Sequence, residues 1–396
     1  MKLTTLCLIA IVIVGISTTS FAESTLSDAF KDGTISSALQ GYYFSKDTGT
    51  KNADIITTGI DLGYVTGNFY GVSLGVTFQG TYSPWADDDG KDMFKGDMYG
   101  SGAVLSESYV KYENSGAFVK AGRQYITSPT VTGSGSRVTK ESFEAYLAGY
   151  NGIKGLTILG GYIAKFQGRT DGEGDIGDFE KNGGFYTSGL KSFDGAYTAL
   201  IAYINKEISV NAQYLLAKDV GMTSLTDLEV MYIDGTFNIP LDLMEIAISA
   251  QYGASDEDSA ADFYSGYSTG AKVSLNMGAL YAHIAYNTNK DDEAVESGLG
   301  NGADWAYAGG LIYGNDYSAG VDTIGAKVGY KINTFGLAAL YSDYSGSANY
   351  NTLGVEASYD VGGVLKGLNL LAQYDNKNVS NGSDENQFRF KANYKF

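Results

Sequence analysis

Cysteine is almost missing from this chain of 396 residues: Cys7 is the only one, and it lies in an apolar run near the N-terminus. Beyond that run no disulfide, thiol catalyst or thiolate metal site can form. Proline occurs only three times. That scarcity suits backbone hydrogen-bonded on both sides, because proline has no N–H to give to a ladder. No stretch after residue 22 approaches ~18 consecutive apolar residues, so no membrane-crossing helix is expected. Positive charge is also in short supply. The net charge is −18, and it becomes −19 without Lys2, which argues against nucleic acid as a partner. The total does not set the preference of a pore, because each charge acts where it stands.

What is present points to strands. Glycine (53), tyrosine (32) and phenylalanine (18) are abundant, as in many short aromatic strands with glycine between them. The N-terminus reads as a secretory signal over residues 1–22: Lys2, an apolar run at 6–16, then Ser20-Phe21-Ala22 with small residues at the cleavage positions. Cleavage after Ala22 leaves 374 residues of the 396, read as one domain, 23–396. Cys7 is not placed as a lipidated cysteine would be, since the apolar run continues past it.

The last ten residues carry the clearest pattern. Phe388, Phe390, Ala392, Tyr394 and Phe396 take one face, and Gln387, Arg389, Lys391, Asn393 and Lys395 the other. Strict alternation with a terminal aromatic fits a barrel strand that turns its apolar face to lipid. Similar segments are expected at 34–43, 55–66, 70–82, 104–113, 117–124, 141–150, 156–167, 196–205, 208–216, 225–237, 244–253, 267–277, 280–287, 321–332, 335–344, 350–360, 368–375 and 385–396, with a helical turn at 24–33 capped by Ser24 or Ser27 before them. The connections alternate short and long. Short ones such as Gly278-Ala279 and Asn333-Thr334 carry turn residues. The long ones are 44–54, 83–103, 125–140, 168–195, 217–224, 254–266, 288–320, 345–349 and 376–384. The expected fold is all-β: a transmembrane antiparallel barrel of eighteen strands (sixteen as the alternative), with short periplasmic turns and long extracellular loops. Segment 185–193 could pass for another strand, but counting it moves the later long loops to the wrong end, so it belongs inside the 168–195 loop. The competing fold, a soluble β-sandwich, does not explain the signal, the turn parity or the aromatic C-terminus. A barrel this wide leaves an aqueous channel.

Basic residues on the polar faces are the first candidates. The alternation places Lys327, Lys331, Arg389 and Lys391 on the luminal side. Fixed cations in a low-dielectric wall attract and orient anions; the plain alternative is that they pair with luminal acids such as Glu356. A second set comes from the stretch Gly122-Arg123-Gln124, Pro129, Ser136-Arg137-Val138 and Phe143-Glu144-Ala145. It resembles the OprD-like specific porins and the related Opr-type major porins of Gram-negative bacteria, where the corresponding stretch reads Gly-(Lys/Arg)-Gln, Pro, Ser-Arg-Leu and Phe-Glu-Gly. Val138 and Ala145 depart from that pattern. Residues 153–169 and 26–33 are also similar to these porins. The resemblance implies an eighteen-strand outer-membrane channel, inward-folded third and seventh outer loops (125–140 and 288–320), a homotrimer, and a basic ladder for carboxylates in which Arg123, Arg137 and Lys140 take part. The expected partners are the lipid bilayer with its lipopolysaccharide and small hydrophilic solutes that cross passively.

Acidic clusters stand in the expected outer loops: Asp87-Asp88-Asp89, Asp171-Gly172-Glu173-Gly174-Asp175, Asp256-Glu257-Asp258 and Asp291-Asp292-Glu293. Their carboxylates could hold Ca²⁺ through oxygen. None has EF-hand spacing, and a solvated loop surface is the plainer reading. An acidic mouth would enrich cations even above a basic constriction. No other cofactor is expected. His283, the only histidine, lies beside Tyr281 on the luminal face, and no nucleophile motif accompanies it. No glycine-rich phosphate loop joins a strand to a helix. The chain is not expected to be an enzyme; a structural or adhesive surface barrel is the rival function, and an outer-membrane hydrolase a weaker one.

Overall fold

A computed structural model describes residues 25–186, 192–220, 226–257, 264–290 and 292–396. The expected signal at 1–22 lies outside them. Eighteen strands form the wall: β1 Thr34–Asp47, β2 Asn52–Val65, β3 Val72–Ala86, β4 Gly102–Asn114, β5 Ala117–Gln124, β6 Ser142–Tyr150, β7 Leu156–Gln167, β8 Ala196–Ile204, β9 Ile208–Val220, β10 Thr226–Pro240, β11 Glu245–Glu257, β12 Tyr267–Met277, β13 Leu280–Asn289, β14 Val321–Ile332, β15 Phe335–Gly346, β16 Tyr350–Asp360, β17 Leu368–Val379 and β18 Glu385–Lys395. Each pairs antiparallel with its sequence neighbours. The sheet closes where β1 meets β18, from Ala38 opposite Lys395 to Asp47 opposite Asn386. Closure leaves no free sheet edge. The eighteen expected segments are these strands, with many reaching a few residues further at the long-loop end.

The pattern that builds the wall is period two. Ile324, Val328, Tyr330 and Ile332 of β14 are exposed on the outside. So are Phe388 and Phe390 of β18, while Lys391 between them and Ala392 is buried within. Two-residue turns join β4 to β5, β12 to β13 and β14 to β15. Their left-handed residues, Ser115, Gly116, Gly278 and Asn333, give the twist that such hairpins need.

A short helix, α1 (Leu26–Lys31), precedes β1. Thr25 caps it in a reciprocal capping box with Asp28, in place of the expected Ser24 or Ser27. Segment 185–193 contributes no wall strand among its described residues: Phe185 and Phe193 are buried inside, and Phe185 bridges to Leu299. Only Phe179–Glu180 of this loop pairs with a wall strand, β7.

The interior departs from a uniformly polar lumen. Inward residues of β6 to β10, among them Phe143, Ile163, Leu215 and Val230, are fully buried with Val131 and Leu299 from two loops. The apolar inner wall there is covered by loops that enter the barrel. A transmembrane barrel filled by inward loops can afford such residues, and strand alternation alone does not reveal them.

Candidate functional site

The two loops expected to fold inward, 125–140 and 288–320, do so and are joined to each other. Leu299 N–H donates to the Thr130 carbonyl (2.9 Å), Thr132 N–H to Leu299 (3.0 Å) and Gly302 N–H to Thr132 (3.0 Å). Gln213 of β9 holds the first loop from the opposite wall: its Oε1 accepts from Thr130 N–H (2.9 Å) and its Nε2 donates to Ser128 Oγ (2.9 Å). Gln79 of β3 holds it from the other side, through both N–H and C=O of Lys140 (2.8 Å each). The result is a partition across the lumen. Gly300 has φ +94°, and a Cβ there would come within 2.1 Å of the Thr132 oxygen. Gly300→Ala is therefore expected to part the loops, raising single-channel conductance and current noise while the barrel keeps its heat-modifiable gel mobility. Unchanged traces would show that the junction does not limit the opening.

A cluster of charges borders this partition. Lys391 Nζ donates to the Ser136 carbonyl of the first loop (2.9 Å). The Arg389 guanidinium lies 4.9 Å from the Phe44 ring and that of Arg137 5.2 Å from the same ring. Phe44 stacks parallel with Tyr42 on β1, with centroids 6.1 Å apart. Both rings are buried inside, directly opposite Arg389 and Lys391 in the register.

Asp97 binds Arg137 through its Nε and Arg169 through its Nη1 (2.9 Å). Arg169 Nε also meets Glu141 Oε1 (3.1 Å), and Glu141 accepts Ser134 N–H (2.8 Å) and Asn301 N–H (3.0 Å) besides. Four cations thus face two carboxylates. Among the described residues no ion pair is formed by Arg389 or Lys391. Burial raises the Asp97 carboxyl, but Arg137 and Arg169 outweigh it and hold the group below the usual range. Burial pushes Glu141 up, with Arg169 and the amides opposing it. Burial lowers the Arg137 guanidinium, and Asp97 pulls it back.

The other expected residues are spread more widely. Lys140 stands 3.9 Å over the Tyr125 ring; burial lowers its ammonium, and Glu107 and Asp61 oppose that. Beneath the partition a cavity of about 1220 Å³ is lined by Gln40, Asp61, Ser136, Arg137, Lys140 and Lys395 among others. Lys327 and Lys331 are ion-paired with Glu356 (3.2 Å) and Asp360 (3.3 Å). Arg123 is not brought to the cluster. It lies opposite Ser108 and Glu144 in the register, donates to the Leu105 carbonyl (3.3 Å) and covers Phe179 at 4.2 Å.

The acidic loops are engaged locally. Asp87 caps a second helix, α2 (Asp88–Phe94), through Gly90 N–H (2.7 Å), and Asp88 pairs with Lys91 (3.1 Å). Phe94 and Met98 carry this loop inward against Tyr42, Phe44 and Ile55, which is how Asp97 reaches the arginines. Asp171 Oδ1 accepts the N–H groups of Glu173, Gly174 and Asp175. Asp258 and Asp291 lie outside the described residues. Among the described residues no set of three acidic, histidine or cysteine side chains is gathered in a way that could hold a metal ion. His283 Nδ1 is hydrogen-bonded with Tyr281 Oη (2.8 Å), while Ser274, across from it, makes no hydrogen bond through its hydroxyl. Nucleophile and base are therefore not joined.

No family model matches this chain, and no curated protein does. Solved structures do. OccAB1 of Acinetobacter baumannii superposes with a TM-score of 0.79 at 15% identity, over 93% of this chain and 97% of that one. OccK3 (OpdO) of Pseudomonas aeruginosa gives 0.75 at 18% identity, over 94% and 97%. OpdK of the same organism, solved with vanillate, gives 0.77 at 15%, over 93% and 99%. The chain is thus similar in architecture to the OprD/Occ-type porins, sharing their closed antiparallel barrel of eighteen strands.

Proposed function

We propose that this barrel is an outer-membrane channel through which small hydrophilic solutes pass passively, with a preference for anions, small carboxylates among them, at the basic constriction. The observation that carries the reading is the pair Arg389 and Lys391, buried in the wall beside the loop partition with no carboxylate of their own. A cation without a counter-ion in a narrow, low-dielectric passage attracts a mobile anion. The apolar outer face supports a lipid surround. The vanillate in the OpdK structure is a carboxylate of this size. Purified protein in planar bilayers is expected to open discrete channels with anion-over-cation reversal potentials; liposomes that leak neither ions nor organic acids would favour a structural or adhesive barrel instead. A homotrimer, lipopolysaccharide contacts and Ca²⁺ in the acidic loops stay proposals of the same reading, open to cross-linking and to Ca²⁺ titration.

A further inference from the structure

The 290–320 loop ends its inward path in a tight hairpin. Gly310 and Gly314 exchange backbone hydrogen bonds of 2.9 and 3.2 Å, which leaves Leu311, Ile312 and Tyr313 at the tip. Three fixtures seat that tip on the inner wall. Asp375 of β17, fully buried, accepts Ile312 N–H at 2.7 Å. Tyr344 Oη of β15 accepts Gly310 N–H (2.6 Å) and donates to the Gly314 carbonyl (2.5 Å). Leu311 lies on the bare backbone of Gly354, where a Cβ would come within 2.4 Å of it.

So held, the Tyr313 ring stands 5.7 Å from Lys377 Nζ, and its hydroxyl is turned toward Gln387 with Arg389 nearby. That hydroxyl is buried and makes no well-formed hydrogen bond; the same is true of Arg389 Nε. The Gln387 oxygen is already taken by Arg389 Nη2 at 3.0 Å. Buried polar groups are nearly always partnered, by protein or by something mobile. Two open donors at one point of the lumen call for an acceptor with more than one oxygen.

We infer that Tyr313 is a specificity-determining residue of the constriction: its hydroxyl and Arg389 Nε together take the two oxygens of a passing carboxylate. This rests on the channel reading above. A chloride ion is a single spherical acceptor and needs only the cations. A carboxylate offers a second oxygen and gains the Tyr313 bond as well. The charges then sort anions from cations, and the neutral hydroxyl sorts oxyanions from halides. Asp375 acts through Tyr313 as a positioning residue.

The test is the acetate-to-chloride permeability ratio, from bi-ionic reversal potentials in planar bilayers. Tyr313→Phe keeps the ring and removes the donor. It should lower the ratio about fivefold, while chloride-over-potassium selectivity stays as in the parent. Tyr313→Gln, which brings a donor back, should restore part of the loss. Asp375→Asn, which loosens the tip and leaves Tyr313 in place, should lower the ratio in the same direction. An unchanged ratio in Tyr313→Phe, in a barrel that conducts chloride as before, overturns the inference. A parent protein that conducts nothing defeats the channel reading itself, and the inference with it.

Discussion

Arg389→Gln combined with Lys391→Gln is expected to turn an anion-preferring channel toward cations. The glutamines keep a donor and most of the side-chain length, so the Ser136 carbonyl met by Lys391 at 2.9 Å can still be served. What is lost is charge. A unit charge acting on an ion ~4 Å away is worth about 1 kcal/mol even in water, or roughly fivefold in permeability. Two charges together should shift the anion-to-cation ratio by about tenfold at 0.1 M salt, less at 1 M, where the Debye length falls to about 3 Å. The reversal potential under a KCl gradient reads the change directly. Lys327→Gln with Lys331→Gln is the comparison. Those lysines are paired with Glu356 and Asp360 at 3.2 and 3.3 Å, so removing each leaves a carboxylate behind. Equal shifts from both pairs of substitutions would mean that bulk luminal charge, and not the constriction, sets selectivity.

The wall was legible in the sequence and the constriction only in part, for physical reasons. Strand alternation is local: each residue declares its face within a few positions, and antiparallel turns do the rest. Hence Leu368–Val379 and Glu385–Lys395 could be read directly. The inward course of 125–140 and 288–320 came with the family resemblance. The charge cluster is non-local. Asp97 and Arg169 are far apart in the chain, and so are Ser136 and Lys391. No spacing rule connects such residues. Asp97 was hidden further because its loop advertised itself through Asp87, Asp88 and Asp89, which read as a solvated mouth. In the fold Asp87 is a helix cap, and that helix is what carries Phe94, Asp97 and Met98 into the lumen. Arg123 shows the reverse case. Its motif is legible, yet the pairing register sets it opposite Glu144, away from the other cations.

Asp97→Asn should damage the constriction more than its distance from the passing ion implies. The carboxylate joins the 87–101 loop to Arg137 of one inward loop and Arg169 of another. Its side chain is 27% exposed, against 10% for Arg137 and 11% for Arg169. Breaking a fully buried pair on one side costs about 3–5 kcal/mol, and the partial exposure here brings the expected loss to about 2–3 kcal/mol. The direction of the Asp97 shift gives the pH window. Its folded value lies below the ordinary 3.8, so its stabilising effect is complete above that value and fades only as pH falls through the lower folded one. The parent constriction should therefore hold its ion pairs throughout mild acid. Glu141 behaves oppositely: raised above 4.5, it takes a proton first as pH falls. One negative charge then leaves the cluster while Asp97 stays ionised. Anion preference should rise as pH drops toward the raised Glu141 value, and Glu141→Gln should remove that rise. A double-mutant cycle of Asp97→Asn with Arg137→Gln, read in urea unfolding of the barrel, separates the pair from its surroundings. If Asp97 acts through Arg137, the double variant loses less than the two singles added. Strict additivity, together with quiet single-channel currents in Asp97→Asn, would remove Asp97 as the tie between the loops.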